Sequence, residues 1–70
     1  MDRMTMTIDG MTCAHCVSHV TKALKELEGV DVEQVKIGEA TVAYDPSATS
    51  EERITQAVAE EGYLVTATSR

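Results

Sequence analysis

Apolar residues recur at two different spacings along this chain, and the order of those spacings constrains the fold more than any other feature. Met4, Met6 and Ile8 alternate with polar residues, which is the pattern of a strand with one buried face. The spacing then changes to three, four and three residues, as along one side of a helix. The residues of that stripe are Val17, Val20, Leu24 and Leu27. Gly29 follows, where we expect the C-terminal cap of the helix.

The middle of the chain predicts two strands joined by a tight turn. β-Branched residues favour a strand near residues 33–37 with an irregular start. Gly38–Glu39 is suited to a hairpin turn. One face of the strand that follows comprises Ala40, Val42 and Tyr44. Pro46 comes shortly after this strand and favours its end, because proline has no N–H for the hydrogen-bonded ladder.

The remainder of the chain predicts a second helix and a fourth strand. Residues 49–52 read TSEE, which is the Thr-x-x-Glu form of a capping box at a helix start. A short apolar stripe follows and consists of Ile54, Ala57 and Val58. Gly62 is expected to end this helix, and we place the last strand at residues 63–68.

The order β-α-β-β-α-β indicates two crossover units that share one sheet. Each helix has a single apolar stripe, so both must pack on the same face of that sheet. We therefore expect an α+β fold, a ferredoxin-like open-faced sandwich with a four-stranded antiparallel sheet. A length of 70 residues allows one domain, residues 1–70.

Composition excludes several classes of function. The formal net charge is −6, whereas nucleic acids and anionic membranes attract basic surfaces. No apolar run approaches the roughly 20 residues of a membrane span. The first residues, MDRMTMTIDG, lack the apolar segment of a signal peptide, which favours the cytosol. We expect neither nucleic-acid binding nor membrane insertion.

Residues 10–16 read GMTCAHC, and this motif carries the chemistry. Cys13 is expected in the loop after the first strand and Cys16 in the first turn of the helix. The N–H groups and positive dipole end of a helix start favour the thiolate, which is the form that binds metal or attacks a disulfide. A C-x-x-C pair is compatible with a disulfide, a redox couple, a zinc clamp or a soft-metal carrier.

Two thiolates with few further ligands favour a soft ion of low coordination number. Cu(I) fits this description best, because structural Zn(II) usually takes four ligands. His15 and His19 are the nearby residues other than carboxylates that could complete a zinc site. We expect His19 to face solvent. His15 would tune the thiolates, act as an auxiliary ligand, contact a second molecule or face solvent.

The motif, between an alternating strand and a helix, resembles the heavy-metal-associated domain family, which includes bacterial copper chaperones and the metal-binding domains of copper-pumping P-type ATPases. The resemblance covers essentially the whole chain. Besides the motif it rests on Val17, Gly29-Val30, Tyr44-Asp45-Pro46 and Glu61-Gly62-Tyr63.

The resemblance implies roles for individual residues. Cys13 and Cys16 would be the metal ligands, Met11 would pack beneath the loop, and Tyr63 would lie beside it. Thr12 stands where zinc-pump domains often have an acid, which favours Cu(I) over Zn(II). Metal would move by ligand exchange, through an intermediate with three sulfur ligands.

These features predict a cytosolic Cu(I) chaperone that is not an enzyme. It would deliver Cu(I) to a copper-transporting P-type ATPase or to a copper-responsive regulator, and its exposed thiols allow a copper-bridged homodimer. The alternatives are a thiol–disulfide oxidoreductase, a domain for Zn(II) or Hg(II), and a domain excised from a P-type ATPase.

Overall fold

The computed structural model describes residues 1–12 and 14–69, so the predicted position of Cys13 lies outside the described residues. Six elements follow one another in the order that the sequence predicts. They are β1 (Asp2–Asp9), α1 (Ala14–Lys25), β2 (Val30–Lys36), β3 (Glu39–Tyr44), α2 (Glu51–Glu60) and β4 (Leu64–Ser69).

The four strands form one antiparallel sheet in the order β2-β3-β1-β4. β1 lies in the interior of the sheet and pairs with β3 on one side and β4 on the other. Its alternation places Met4, Met6 and Ile8 at 0%, 0% and 3% exposure, which confirms the predicted buried face. The ferredoxin-like α+β architecture is confirmed as well.

The core lies between one face of the sheet and the two helices. Its fully buried side chains include Val20 and Leu24 from α1 and Ile54 and Val58 from α2. Ala40, Val42 and Tyr44 of β3 lie in the same cluster, as their predicted shared face requires. Each helix therefore buries one stripe on the sheet, and the opposite stripe remains in solvent.

The prediction that Gly29 caps α1 is wrong, because the helix ends at Lys25. Gly29 instead lies in the turn before β2 with a φ of +78°. Its carbonyl accepts the Asp45 N–H at 2.8 Å, and a Cβ added to Gly29 would lie 2.6 Å from Ala48 Cβ. A close approach of two distant segments, rather than a helix end, requires glycine here.

The hairpin between β2 and β3 is displaced from its predicted position. β2 begins at Val30 instead of Glu33 and ends at Lys36, and the turn is Ile37–Gly38, since Glu39 already pairs with Lys36. The register shifts between Val32 and Gln34, which is the irregularity expected near the strand's start. The displaced turn leaves Ile37 outside the strand and 57% exposed.

The capping box predicted at Thr49 is also wrong. The N-cap of α2 is Ser50, whose Oγ accepts the Arg53 N–H at 3.3 Å. Thr49 is buried, and its N–H donates to the Asp45 carbonyl at 3.0 Å. Because of this bond, the turn that follows β3 includes Thr49, and α2 begins one residue later than a cap at Thr49 would predict. At the other end, Gly62 follows the last turn of α2 as predicted.

Candidate metal centre

The motif lies where β1 ends and α1 begins. β1 ends at Asp9 and α1 starts at Ala14, so a short loop carries the chain from the sheet onto the helix. Gly10 begins this loop with a φ of +95°, a conformation that side-chain-bearing residues rarely adopt. The loop therefore turns sharply as it leaves the sheet.

Cys16 is the third residue of α1, which confirms its expected place in the first helical turn. It is half-buried, and it packs against the edge of the core. The first turn of α1 contains no acidic residue, and its leading N–H groups have no partners within the helix. The sulfur thus lies at the positive end of a helix.

Met11 connects this loop to the core. It is 6% exposed and belongs to the same hydrophobic cluster as the buried residues of β1 and α1. Thr12, the next residue, is exposed. The loop therefore has one side chain inserted in the core immediately before it reaches the surface.

Tyr63, near the other end of the sequence, lies beside the same loop. Leu64 pairs with Asp9 in the sheet, so the α2–β4 turn lies beside the start of the loop. Tyr63 is half-buried and packs against the core, and its Cδ1 lies 3.7 Å from the position that a Cβ on Gly10 would occupy. The ring therefore lies close enough to touch any side chain that replaced the hydrogen of Gly10.

A third segment reaches this end of the sheet, and the sequence analysis did not identify it. The Ile8 N–H donates to the Gly38 carbonyl at 2.9 Å, which places the β2–β3 turn next to the end of β1. Two apolar side chains are exposed in this region, Ile37 at 57% and Leu64 at 62%. The predicted strand order along the chain could have indicated this arrangement. Antiparallel pairing of β3 and β4 with β1 brings the β2–β3 turn and the α2–β4 turn to the end of β1 that precedes the motif.

The two histidines of the motif region lie on the surface of α1. His15 and His19 are both exposed. Among residues 1–12 and 14–69, no group of three or more histidine, cysteine, aspartate or glutamate side chains is placed to hold a metal ion. Among the described residues, the thiol that adjoins the loop is that of Cys16, the third residue of α1.

Pro46 lies far from the motif. It follows Tyr44, which pairs with Asp2 at the beginning of β1, whereas the motif follows the end of β1. Pro46 and the motif therefore lie at opposite ends of β1.

Neither described helix, at 12 and 10 residues, is long and apolar enough to cross a membrane.

The chain is similar to proteins that handle heavy metals. It is 34% identical over 67 residues to Copper chaperone CopZ of Bacillus subtilis (strain 168), an alignment that covers 93% of this chain and 97% of that protein. It is 39% identical over 62 residues to the mercuric transport protein periplasmic component of Pseudomonas aeruginosa, covering 86% of this chain and 68% of that protein.

The fold is similar to that of solved metal-binding domains. The structure matches a copper binding domain from HMA7, a P-type ATPase, with a TM-score of 0.90 and 30% identity over 100% of both chains. A family model of the heavy-metal-associated domain matches residues 5–63. A family match over most of the chain, together with this fold and the C-x-x-C motif at the start of α1, shows that the chain belongs to the heavy-metal-associated domain family.

Proposed function

We propose that this protein is a Cu(I) chaperone, a carrier rather than an enzyme, that binds its ion through the thiolates of Cys13 and Cys16. The observation that carries the proposal is the position of Cys16 in the first turn of α1, directly after a loop that Met11 anchors in the core. Two thiolates suit Cu(I), a soft ion that is stable with few ligands. Similarity to CopZ over 97% of that protein's length supports a copper carrier.

Transfer follows from the surface position of the motif. An incoming thiolate of a partner protein adds to the bound Cu(I), so that three sulfurs surround it. One of the two original cysteines then leaves as a thiolate, which can take up a proton. A second thiolate of the partner adds in its place, and the remaining original cysteine leaves in the same way, so that Cu(I) ends with two sulfurs of the partner. No electron is transferred, so Cu(I) keeps its oxidation state throughout.

Met11 and Tyr63 act on this exchange without binding the ion. Met11 holds the loop to the core, and Tyr63 lies against Gly10 at the start of the loop. Restraining the loop at Met11 reduces the conformational freedom that the motif loses when it binds an ion. Thr12 is exposed and adds no negative charge that would favour a harder ion.

The proposed partner is the metal-binding domain of a copper-transporting P-type ATPase or a copper-responsive regulator, in the cytosol. A solved domain from such an ATPase shares this fold with a TM-score of 0.90, so two similar domains would present their motifs to each other. The net charge of −6 favours a partner with a basic surface. Two copies of the chain would also be able to share Cu(I) through their cysteine thiolates, as a copper-bridged homodimer.

The direct test replaces Cys13 and Cys16 with serine in the full chain. Serine preserves the size of each side chain but removes the soft donor, so retention of Cu(I) against a competing small-molecule thiol should fall by orders of magnitude. Ser18→Ala, an exposed position on the same helix, is the matched control and should bind Cu(I) like the parent. Circular dichroism should show the same fold in all three proteins. Undiminished Cu(I) retention by the double variant would refute the proposal.

A second candidate is an Hg(II) carrier. It is favoured by the 39% identity with a mercuric transport protein periplasmic component, which exceeds the 34% identity with CopZ. Hg(II) shares the affinity of soft ions for two thiolates. Competition between Cu(I), Hg(II) and Zn(II) for the reduced protein, followed by mass spectrometry at matched thiol concentrations, separates the candidates. Delivery to an ATPase domain by the Cu(I) form, and not by the Hg(II) form, would select the copper chaperone.

A further inference from the structure

His15 and His19 are four residues apart on α1, and both are exposed. A helix advances about 100° per residue, so residues four apart are separated by only about 40° around its axis. Their Cβ atoms are then about 5–6 Å apart. The two imidazoles therefore belong to one face of the helix.

The direction of the side chains brings these imidazoles together. In a helix each Cα–Cβ bond tilts toward the N-terminus, so the side chain of the later residue leans over the preceding turn. The His19 ring is thus directed toward the turn that carries His15. Cys16 is about 100° away from His15 around the axis, so His19 is the nearer neighbour of His15 by direction.

Neither imidazole is engaged elsewhere in the described part of the chain. The side-chain hydrogen bonds and ion pairs among the described residues include neither His15 nor His19. Both rings can therefore rotate to direct a nitrogen at a common point without breaking a contact.

We propose that His15 and His19 form a second metal site, separate from the thiolate pair, which holds a divalent ion of borderline softness through two imidazole nitrogens. Histidines four apart on one helix face are an established way of holding such an ion. Neutral imidazole suits Cu(II), Ni(II) and Zn(II), and affinity along this series is greatest for Cu(II). Water molecules would complete the coordination.

The cysteine thiolates and the two neighbouring imidazoles would bind different ions. Thiolates favour Cu(I), whereas the imidazole pair favours divalent ions. His15, which stands between the two cysteines, would then serve the second site rather than the first. Lys22 follows on the same side of the helix, one turn after His19, and its ammonium weakens the attraction for a cation without removing either donor.

The experiment uses Cu(II) as the probe and the full chain with Cys13→Ser and Cys16→Ser as the parent. Removing both thiols prevents thiolate binding and reduction of Cu(II), so the result is independent of the Cu(I) test above. We expect one Cu(II) per chain, with hyperfine coupling to two imidazole nitrogens in electron paramagnetic resonance. Either His15→Ala or His19→Ala should lower the affinity by roughly tenfold or more, that is about 1.4 kcal/mol or more.

The decisive control keeps two histidines but separates them. Ala14→His combined with His15→Ala places the imidazoles five residues apart, about 140° around the axis, and Ala14 is exposed like His15. This variant should bind Cu(II) as weakly as the single-histidine variants. Lys22→Gln retains both imidazoles and should bind at least as tightly as the parent.

Two results would overturn the proposal. One is a parent that binds Cu(II) no better than the variant lacking both histidines, which would show that other groups, such as the N-terminal amine, account for the binding. The other is equal binding by the separated-histidine variant, which would show that the histidines act independently.

Discussion

Single glycines determine how closely the motif loop and the turn before β2 pack against their neighbours. Gly10 has a φ of +95° and lies against the Tyr63 ring, and Gly29 has a φ of +78° and lies against Ala48. The contact at Gly29 is the tighter, since an added Cβ would lie 2.6 Å from Ala48 Cβ. That separation is too small for two methyl groups, so a substitution must displace backbone as well as adopt an unfavourable φ.

Gly29→Ala should lower the free energy of unfolding by about 1–3 kcal/mol from the positive φ alone, with a further loss from the overlap with Ala48. Urea denaturation measures the change. Ala48→Gly in the same chain removes the clashing methyl group, so the double variant should recover the steric part and retain the conformational part. If Gly29→Ala unfolds at the same urea concentration as the parent, the close approach of these two turns is not present in solution.

At the scale of elements, the start of α2 depends on one side chain. Ser50 accepts the Arg53 N–H, and Glu51 and Glu52 occupy the first turn, where carboxylates favour the positive end of the helix. α1 differs, because its first turn has no acid and its last turn contains Lys22 and Lys25. The absence of carboxylates near Cys16 in that turn preserves a helix end suited to a thiolate.

Ser50→Ala should destabilise the protein by about 1 kcal/mol, because the N-cap hydrogen bond is lost. Thermal and urea unfolding check the value. Ser50→Asp retains an acceptor and should be close to the parent in stability. Equal stability of the alanine and aspartate variants would mean that Ser50 does not cap α2, and would restore the capping box at Thr49 as an explanation.

For the molecule as a whole, size makes stability sensitive to bound metal. A folded chain of 70 residues buries a smaller fraction of its surface than a longer one. A ligand that binds only the folded state therefore changes a large share of the total stability. We expect the proposed cargo to act in this way, because the folded chain holds Cys16 in the first turn of α1, where the positive end of the helix favours its thiolate.

Cu(I) at a free concentration 100 times its Kd should stabilise the folded chain by about 2.7 kcal/mol, which raises the Tm by roughly 10 °C or more for a domain of this size. Differential scanning calorimetry of the reduced protein, with Cu(I) supplied from a buffered thiol complex, gives the shift. The variant with both cysteines replaced by serine should show no rise. The same rise in that variant would place the stabilising site elsewhere.

Local patterns were sufficient for much of the fold and for part of the candidate site. The alternation of Met4, Met6 and Ile8 and the stripe containing Val20 and Leu24 predicted which faces are buried, because side-chain direction repeats with a fixed period along a strand or a helix. The same reasoning placed Cys16 in the first turn of α1. The soft-metal interpretation of the motif remains a proposal that rests on donor chemistry.

Contacts between distant parts of the chain account for the structural features that local sequence patterns did not predict. The sequence by itself determined the type and order of the six elements and the buried faces of β1, α1, β3 and α2, since each depends on residues a few positions apart. Only the tertiary structure decided that Gly29 is held against the turn after β3, that Ser50 rather than Thr49 caps α2, and that the Gly38 turn lies beside the end of β1. These features depend on strand pairing and packing over tens of residues, which no short pattern records.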